Sequence, residues 1–235
     1  MQKPEADIGK HFSKVTDSYQ QAVNSTNQVI YNNVKIELDR NLEGNVLDIG
    51  NGGIFNYDTI QLSQVTAVDL SFADNQPERG NIRFIAGDAR NLDKIESGSI
   101  DCVVMQYLLH HIVGKTPAET KEFVLTSLRE THRVLKPGGK LLIAEINVRP
   151  FIEVIENILY RMTFSALRFL NRPMINFYSK NGIVSRLNLS GFHQIDIKEI
   201  NMGKWCDPLS GLFPGIIKIP IFLFPARCYF FTAYR

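Results

Sequence analysis

The sequence predicts an α/β fold in which helices cover both faces of a mostly parallel sheet. Three short apolar segments, residues 46–49, 65–68 and 82–86, each carry an aspartate near or just beyond their carboxyl end. Gaps long enough for a helix separate these segments, and that alternation is typical of βαβ units with right-handed crossovers. A later segment, 140–146, is nearly all apolar, as expected of a central parallel strand.

Helical patterns flank this core. Residues 1–43 predict helix in two pieces with a cap at 16–18, and apolar side chains recur there at helical spacing: Val23, Ile30, Val34 and Leu38. Pro117 opens a helix that runs to Val134, and Pro137-Gly138-Gly139 forms a turn into the next strand.

The regular alternation stops after Pro150. Residues 152–169 predict an inserted helix with a wide apolar face, and 179–189 a helix stopped by Gly191. Two further strands are expected, at 194–200 and 228–234. We therefore expect one domain over 1–235, made of an N-terminal helical lid (1–43), a core (44–149), inserted lid helices (150–178) and a C-terminal helix with strands that complete the sheet (179–235).

Composition excludes several classes of protein. The chain has 235 residues and a formal net charge of +2, too little to favour nucleic acid as a partner. Its three cysteines are far apart and no metal-ligand spacing occurs, so we expect no metal. The N-terminus lacks an apolar secretory segment, and no run is long enough to span a bilayer, so a cytoplasmic location is expected.

A glycine-rich turn carries the strongest functional signal. Gly50, Gly52 and Gly53 fall within four positions directly after the first apolar segment, where residues without a Cβ let the backbone approach a ligand. Asp69 follows nineteen residues after Gly50, at the spacing of an acid that binds ribose hydroxyls. The pattern predicts a nucleoside site at the carboxyl edge of the sheet. A tight turn without a ligand is the alternative.

A nicotinamide-dependent reductase is the natural rival for such a turn. Its Gly-x-Gly-x-x-Gly fingerprint fails, because Phe55 stands where the third glycine should be. Asp48, directly before the turn, would repel a pyrophosphate and suits a ligand with an ammonium group. The residues therefore favour a different nucleoside cofactor.

Two later segments complete a recognisable set. Residues 99–106 lead into Leu109-His110-His111, and 128–143 contain Lys136-Pro137-Gly138-Gly139 before an apolar strand. In this order the motifs resemble the class I S-adenosylmethionine-dependent methyltransferases, in particular the small-molecule enzymes of the UbiE-like, type 11 group. The resemblance implies a Rossmann-like seven-stranded sheet whose last strand runs antiparallel between two others. It also implies S-adenosylmethionine as cofactor and S-adenosylhomocysteine as product.

The resemblance assigns cofactor contacts to particular residues. The set at the methionine end comprises Asp48, Gly50, Asn51 and Gly52, with Tyr19 of the lid reaching the carboxylate. Asp69 would accept from the ribose and Leu70 pack on the adenine. Asp88 and Ala89 would bind the adenine edge, and Gln106 would hold the amino group through its carbonyl. Three alternatives stay open: a helix N-cap at Asp69, ordinary turn chemistry at Asp88, and core packing at Tyr19.

One departure from the family pattern concerns the turn itself. Ile54 occupies the place of the third glycine in Gly-x-Gly-x-Gly, and the spacing from Asp48 to Asp69 is short by a couple of residues. The helix after the turn is therefore expected to be short or recast. The departure leaves room for a protein that binds the cofactor and does other chemistry.

Candidate catalytic residues lie past the fourth and fifth strands. His110 and His111 are candidate bases, because histidine titrates near neutral pH, with packing or helix capping as the alternative. Glu145 and Asn147 are candidates for contacting the acceptor. His132, inside a helix, is expected to be structural. A base is useful only when the acceptor carries a proton, and positioning supplies much of the remaining acceleration.

Two strongly apolar segments, 151–178 and 209–224, suggest the chemical class of the methyl acceptor. These segments, together with Trp205 shortly before the second one, supply these aromatic side chains: Phe164, Phe169, Phe177, Tyr178, Trp205, Phe213, Phe222 and Phe224. We expect methyl transfer to O, N or C of a small hydrophobic or aromatic metabolite, quinone-like or a natural-product intermediate. Packing of the lid, a dimer contact or peripheral membrane contact are the alternatives, and monomer or homodimer stays open. A cyclase-like or structural role for bound S-adenosylmethionine is the alternative function.

Overall fold

A computed structural model describes residues 28–170, 172–206 and 218–235, and all structural statements concern these. The helices are α1 (Gln28–Asn41), α2 (Pro117–Val134), α3 (Pro150–Phe169) and α4 (Lys180–Leu189), with short 3₁₀ turns at Leu109–His111 and Ile221–Leu223. The strands are β1 (Asn45–Ile49), β2 (Gln64–Asp69), β3 (Ile82–Ala86), β4 (Ile100–Gln106), β5 (Leu135–Val148), β6 (Tyr178–Ser179), β7 (His193–Ile200), β8 (Trp205–Cys206), β9 (Ile219–Pro220) and β10 (Ala226–Tyr234).

The main sheet has the order β3-β2-β1-β4-β5-β10-β7, and β6 adds a two-residue pairing to β5. Strands β1 to β5 are mutually parallel, whereas β10 runs antiparallel between β5 and β7. The seven-stranded, mostly parallel sheet and its antiparallel last strand are confirmed. Because β1, β2 and β3 are parallel neighbours, their carboxyl ends share one edge.

Helices pack on both faces of this sheet, as predicted. On one face α1 buries Ile30, Val34 and Leu38 against β1 and β4. On the other, α2 and α4 bury an apolar set against the alternate side chains of the same strands: Val124, Leu128, Ile183 and Leu187. The helix α1 thus packs on the sheet itself, and the part of the predicted lid before it lies outside the described residues.

The crossover helices expected in the gaps after β2 and β3 are missing, and that expectation was wrong. The helix after the glycine turn, expected to be short or recast, is replaced by turns and bends. Residues 50–63, 70–81 and 87–99, all described, form turns and bends without a helix. Side chains that compete for backbone groups explain this, since they favour turns over helix interiors. Asn81 Nδ2, for example, donates to the carbonyls of both Thr59 and Leu62.

The remaining elements agree with the sequence patterns. Helix α2 spans Pro117–Val134 as predicted, with the Thr116 side chain accepting from the Glu119 amide. The turn at 137–139 takes the form of a bulge inside β5, because the register places 136–139 opposite Asp101 alone. Ser179 caps α4 by accepting from the Gly182 amide.

Candidate active site

Asp48 is a fully buried carboxylate at the end of β1. Its Oδ2 accepts from Tyr57 Oη at 2.8 Å and from Asn51 Nδ2 at 2.9 Å. Burial raises the pKa of Asp48 to about 7, against the opposing effect of these two hydrogen bonds. No donor among the described residues reaches its other oxygen, Oδ1, which is buried as well. A buried acceptor of this kind is suited to a donor supplied by a ligand.

The glycine turn follows directly and holds its shape through local hydrogen bonds. Gly50 has φ +77° and donates to the Val68 carbonyl at 2.8 Å. A Cβ at Gly50 would lie 2.5 Å from Leu108 Cδ1, whereas one at Gly52, with φ +58°, would meet nothing within 4 Å. The turn therefore leaves open space on its Gly52 side. Ile54 is accommodated without a third glycine, its amide donating to the Asn51 carbonyl.

Asp69, at the end of β2, joins the glycine turn to the next loop. Its Oδ2 accepts from the Gly52 amide at 2.9 Å, and its Oδ1 accepts from the Ser71 amide and hydroxyl at 2.8 and 2.6 Å. No helix follows in the described loop, so Asp69 does not cap a helix. Its bonds from Ser71 stabilise a turn instead. A carboxylate has about four acceptor sites, which leaves about one for a ligand hydroxyl. Leu70 beside it is half-exposed.

Asp88, beyond β3, is held in an ion pair by the side chain two residues later. Arg90 donates to it through the backbone amide and through the guanidinium, in part at 3.0 Å from Nε to Oδ1. Arg90 in turn lies over the Phe123 ring. These contacts support turn chemistry for the Asp88 carboxylate. Ala89 is half-buried against the core, and an adenine contact at this loop stays a prediction.

Gln106 closes β4, between the Asp48 strand and β5. It is half-buried, and its Oε1 accepts from Asn56 Nδ2 at 3.4 Å. The next residue, Tyr107, has φ +52° and donates its amide to the Ala144 carbonyl. That positive φ turns the chain out of the strand toward the two histidines.

His110 and Glu145 form a buried pair just past β4 and on β5. Nδ1 of His110 lies 2.7 Å from Oε1 of Glu145, and the Ile146 amide donates to the same oxygen. The His110 ring stacks on Phe177 at 5.2 Å and lies 4.1 Å from the ring of His111, centroid to centroid. Because an ionised carboxylate only accepts, His110 donates through Nδ1 and its Nε2 keeps a lone pair.

Further polar side chains are buried around this pair. Asn147 donates from Nδ2 to the Tyr178 carbonyl, and the Asn176 amide donates to the His110 carbonyl. In the part of the chain that the structure describes, no hydrogen-bond partner is found for Glu145 Oε2 or Asn147 Oδ1, whereas the Asn176 side chain interacts with the buried Tyr178 hydroxyl. The first two are acceptors, so the region has unmet capacity for donors.

Three outcomes concern the other residues singled out in the sequence. Tyr19 lies outside the described residues. His132 packs edge-on against Phe192, away from the strand ends, which supports its structural interpretation. Tyr57 was missed: it binds Asp48 from a loop nine residues away and belongs to no motif or period that would single it out. Phe177, predicted among the aromatic side chains of the acceptor pocket, packs on His110.

The described residues fit S-adenosylmethionine. The unpartnered Asp48 Oδ1 faces no donor of the protein and suits an ammonium group. The open side of Gly52 gives room for close backbone approach, and Asp69 keeps capacity for one hydroxyl. Asp48, Gly52 and Asp69 would hold the cofactor.

Comparison with known families agrees with this fit. Residues 47–143 match the family described as a methyltransferase domain. The ubiquinone/menaquinone biosynthesis C-methyltransferase UbiE of Pasteurella multocida is 28% identical over 97 residues, 41% of this chain and 32% of that protein. The chain spans between a third and about half the length of the curated relatives it matches.

Solved structures share the whole fold at low sequence identity. The 1,6-didemethyltoxoflavin-N1-methyltransferase of Burkholderia thailandensis, with bound 1,6-didemethyltoxoflavin and S-adenosylhomocysteine, has a TM-score of 0.61 at 16% identity over 98% of this chain and 88% of that one. The [4+2]-cyclase SpnF has a TM-score of 0.62 at 14% identity, over 97% and 94% of the two chains.

The fold and the glycine-turn edge are similar to those of class I S-adenosylmethionine-dependent methyltransferases. Residues 47–143 match the methyltransferase-domain family, as the sequence motifs predicted, and the curated relatives are named as methyltransferases. S-adenosylmethionine is the cofactor of that class. The resemblance predicted from the motifs is thereby confirmed over residues 47–143, whereas the reaction of the whole chain and its acceptor need a separate argument.

Proposed function

We propose that this protein transfers a methyl group from S-adenosylmethionine to a small, mostly apolar acceptor that carries a hydroxyl or similar protonated nucleophile. The observation that carries the proposal is the His110–Glu145 pair. His110 lies just past β4, which is the neighbour of β1, and Glu145 lies on β5, one strand further along the sheet; the end of β1 carries Asp48. A base and a cofactor-binding carboxylate thus share the carboxyl edge of adjacent strands.

The sulfonium cofactor, when bound, supplies an activated methyl group. The protein then has two tasks, to orient the acceptor and to take its proton. His110 accepts the proton at Nε2, while Glu145 holds the ring through Nδ1 and stabilises the cation that forms. The stack of His110 on Phe177 restricts the ring to one plane. His111, beside it, is the second candidate.

Asp48, Asn51 and the glycine turn act on the methionine end of the cofactor. Tyr57 and Asn51 orient the Asp48 carboxylate, so that its Oδ1 is left for the ammonium. Asp69 accepts a ribose hydroxyl while it keeps its bond from Gly52. In this proposal Leu70 and Ala89 contact the adenine, and Gln106 contacts the amino group of the methionine end. Asp88 helps to shape the adenine-binding loop, which its ion pair with Arg90 holds in place.

The acceptor class rests on relatives and on chemistry. The matched relatives are named for C-methylation in ubiquinone and menaquinone biosynthesis, and one structural neighbour for N-methylation of a heteroaromatic compound. Of the aromatic residues predicted to line the acceptor pocket, Phe177 contacts the candidate base and Tyr178 is buried behind it. Others are strongly exposed, including Phe169 and Phe222, and Phe213 lies outside the described residues. The support for an aromatic acceptor therefore comes from the side chains around His110.

The unmet acceptors near His110 refine this proposal. Glu145 Oε2 and Asn147 Oδ1 are buried and accept no bond from the described residues. An acceptor with two or more O–H or N–H groups, such as a hydroquinone or catechol, would satisfy them. Leaving such groups unpaired costs about 1–3 kcal/mol each, so a donor-free analogue should bind less well.

The test is turnover with a panel of matched acceptors. Purified protein is incubated with S-adenosylmethionine and hydroquinones, catechols or their dimethyl ethers, and S-adenosylhomocysteine is quantified. Product with the hydroxylated compounds and none with the ethers supports the proposal. Tight S-adenosylmethionine binding with no product from any acceptor would favour the non-methylating role instead, a cyclase-like or structural use of the cofactor.

A further inference from the structure

Helix α3 turns three polar side chains, Glu153, Glu156 and Tyr160, toward the protein and much of its apolar face toward solvent. Glu153 accepts from the Ser179 amide and pairs with Arg186 at 3.3 Å, and Glu156 accepts from the Phe177 amide. Tyr160, one turn further, is buried and bonds to Thr120 and to the Gly114 carbonyl. Burial raises the pKa of Glu156 to about 7. The inner face of α3 is therefore anchored largely by polar contacts.

The outer face of the same helix is an exposed apolar stripe. From Phe151 to Met162 its members recur at three- and four-residue spacing, Phe169 follows two turns later, and each is between 42% and 88% exposed: Phe151, Val154, Ile155, Ile158, Leu159, Met162 and Phe169. Single exposed apolar side chains are ordinary, but a continuous row along about three turns marks an interaction surface. The sequence predicted the wide apolar face, and the structure turns much of it outward.

Charge on this surface has one sign. Both acids of α3, Glu153 and Glu156, are taken up on its inner face, whereas Arg161 and Arg168 are exposed. Arg149 is also exposed, at the N-cap, where the helix dipole disfavours a cation. None of the three arginines has an ion pair with another described residue. Arg168 suits the helix end, but Arg149 needs another explanation.

We propose that the outer face of α3 docks on the surface of an anionic lipid bilayer. An interfacial helix buries an apolar row at the level of the acyl chains while flanking arginines meet anionic headgroups. The stripe with Arg149, Arg161 and Arg168 has this composition. Among the described residues no helix is long and apolar enough to cross a membrane, so α3 would lie along the surface.

A second copy of the chain fits this face less well. Two copies pairing through their stripes would bring arginines of both helices together with no exposed acid on either α3 to neutralise them. Anionic lipid supplies the missing charge, at about fivefold in affinity for each arginine near the surface. The proposal concerns binding alone and does not depend on the reaction or on the acceptor.

The test is co-sedimentation of the full chain with vesicles, without cofactor or acceptor. One set contains equal parts phosphatidylglycerol and phosphatidylcholine, the other phosphatidylcholine alone. The double variant Ile158→Ser with Met162→Ser should lower binding to the anionic vesicles by about tenfold or more. Ile60→Ser is the matched control, since Ile60 is 84% exposed in the loop after β1. Circular dichroism verifies that each variant is folded.

The charge contribution has its own pair of variants. Arg161→Gln should weaken binding to anionic vesicles about fivefold and leave binding to phosphatidylcholine unchanged, whereas Arg83→Gln, at an exposed site on β3, should do neither. Three results would overturn the proposal: no binding to either vesicle, equal binding by the wild type and the serine double variant, or a dimer that the double variant abolishes while vesicles are ignored. Loss of methyl transfer would not bear on any of them.

Discussion

His110 and Glu145 are 35 residues apart in the chain, yet Nδ1 and Oε1 lie 2.7 Å apart at the end of β4 and on β5. Glu145 is fully buried, and a carboxylate in such a place requires a partner. The pair fixes which nitrogen of the ring faces outward. It therefore distinguishes His110 from its neighbour His111 as the candidate base.

Replacing His110 by Ala should lower kcat for a hydroxyl acceptor by about 10²-fold, since general-base catalysis typically contributes 10²–10⁴. The dissociation constant for S-adenosylmethionine should stay nearly constant, because His110 touches none of the Asp48 contacts. Glu145→Gln should lower kcat less and leave KM almost unchanged, as a residue that positions the ring. His132→Ala, with its ring against Phe192, serves as the control. Equal activity of His110→Ala and wild type would remove the base from the proposal.

Cofactor affinity should fall as the pH drops below about 7. In the protein without cofactor, burial raises the pKa of Asp48 to about 7. At lower pH its carboxyl group therefore holds a proton, which it must release to bind an ammonium group. The loss approaches tenfold per pH unit, since one proton is released. Calorimetric titration with S-adenosylmethionine, repeated between pH 5.5 and pH 8 in steps of about half a pH unit, measures this loss of affinity.

Two variants test the origin of that pH dependence. Asp48→Asn should bind weakly at every pH and lose the acidic limb of the profile. Tyr57→Phe removes a hydrogen bond that lowers the pKa of Asp48, so the midpoint of the profile should move to higher pH. A midpoint that is the same in Tyr57→Phe and in the wild type would show that another group titrates.

Asp69→Ala should weaken S-adenosylmethionine binding by about 1.5–3 kcal/mol, the usual value of a hydrogen bond to a charged group. The same substitution also frees the Gly52 amide and the Ser71 side chain, which Asp69 now holds. Ser71→Ala is therefore the matched control, since it removes one of these bonds and keeps the carboxylate. Similar affinities for Asp69→Ala and Ser71→Ala by calorimetry would mean that Asp69 only shapes the loop.

The strands and the acidic carboxyl edge were predictable because both follow from local patterns. A buried parallel strand is a short apolar run, and an aspartate at its end is visible at once, as with Asp48 and Asp69. The family resemblance added the antiparallel last strand, which no local pattern contains. Asp88 shows the limit, since its ion pair with Arg90 depends on the rotamers of a turn.

Other features depend on tertiary contacts that a period does not encode. The gaps after β1, β2 and β3 have the length of helices, but their Asn, Asp and Ser side chains bond to the backbone instead. Tyr57 reaches Asp48 only because of that recast loop. The apolar spacing of α3 predicted a helix correctly, but spacing alone cannot decide which face meets the protein. Glu153 and Glu156 determine which face is turned inward, because their carboxylates accept hydrogen bonds from the backbone amides of Ser179 and Phe177.

The contact between Gly50 and Leu108 predicts different costs for two neighbouring glycines. Gly50→Ala combines an unfavourable φ of +77° with a Cβ 2.5 Å from Leu108 Cδ1, so it should lower the free energy of unfolding by about 2–4 kcal/mol. Gly52→Ala, with φ +58° and open space around its Cβ, should cost only the backbone term, about 1–2 kcal/mol. Urea unfolding monitored by circular dichroism compares them. If the packing against Leu108 is the cause, Leu108→Ala in the Gly50→Ala background should recover part of the loss, and an equal loss with and without it would contradict this explanation.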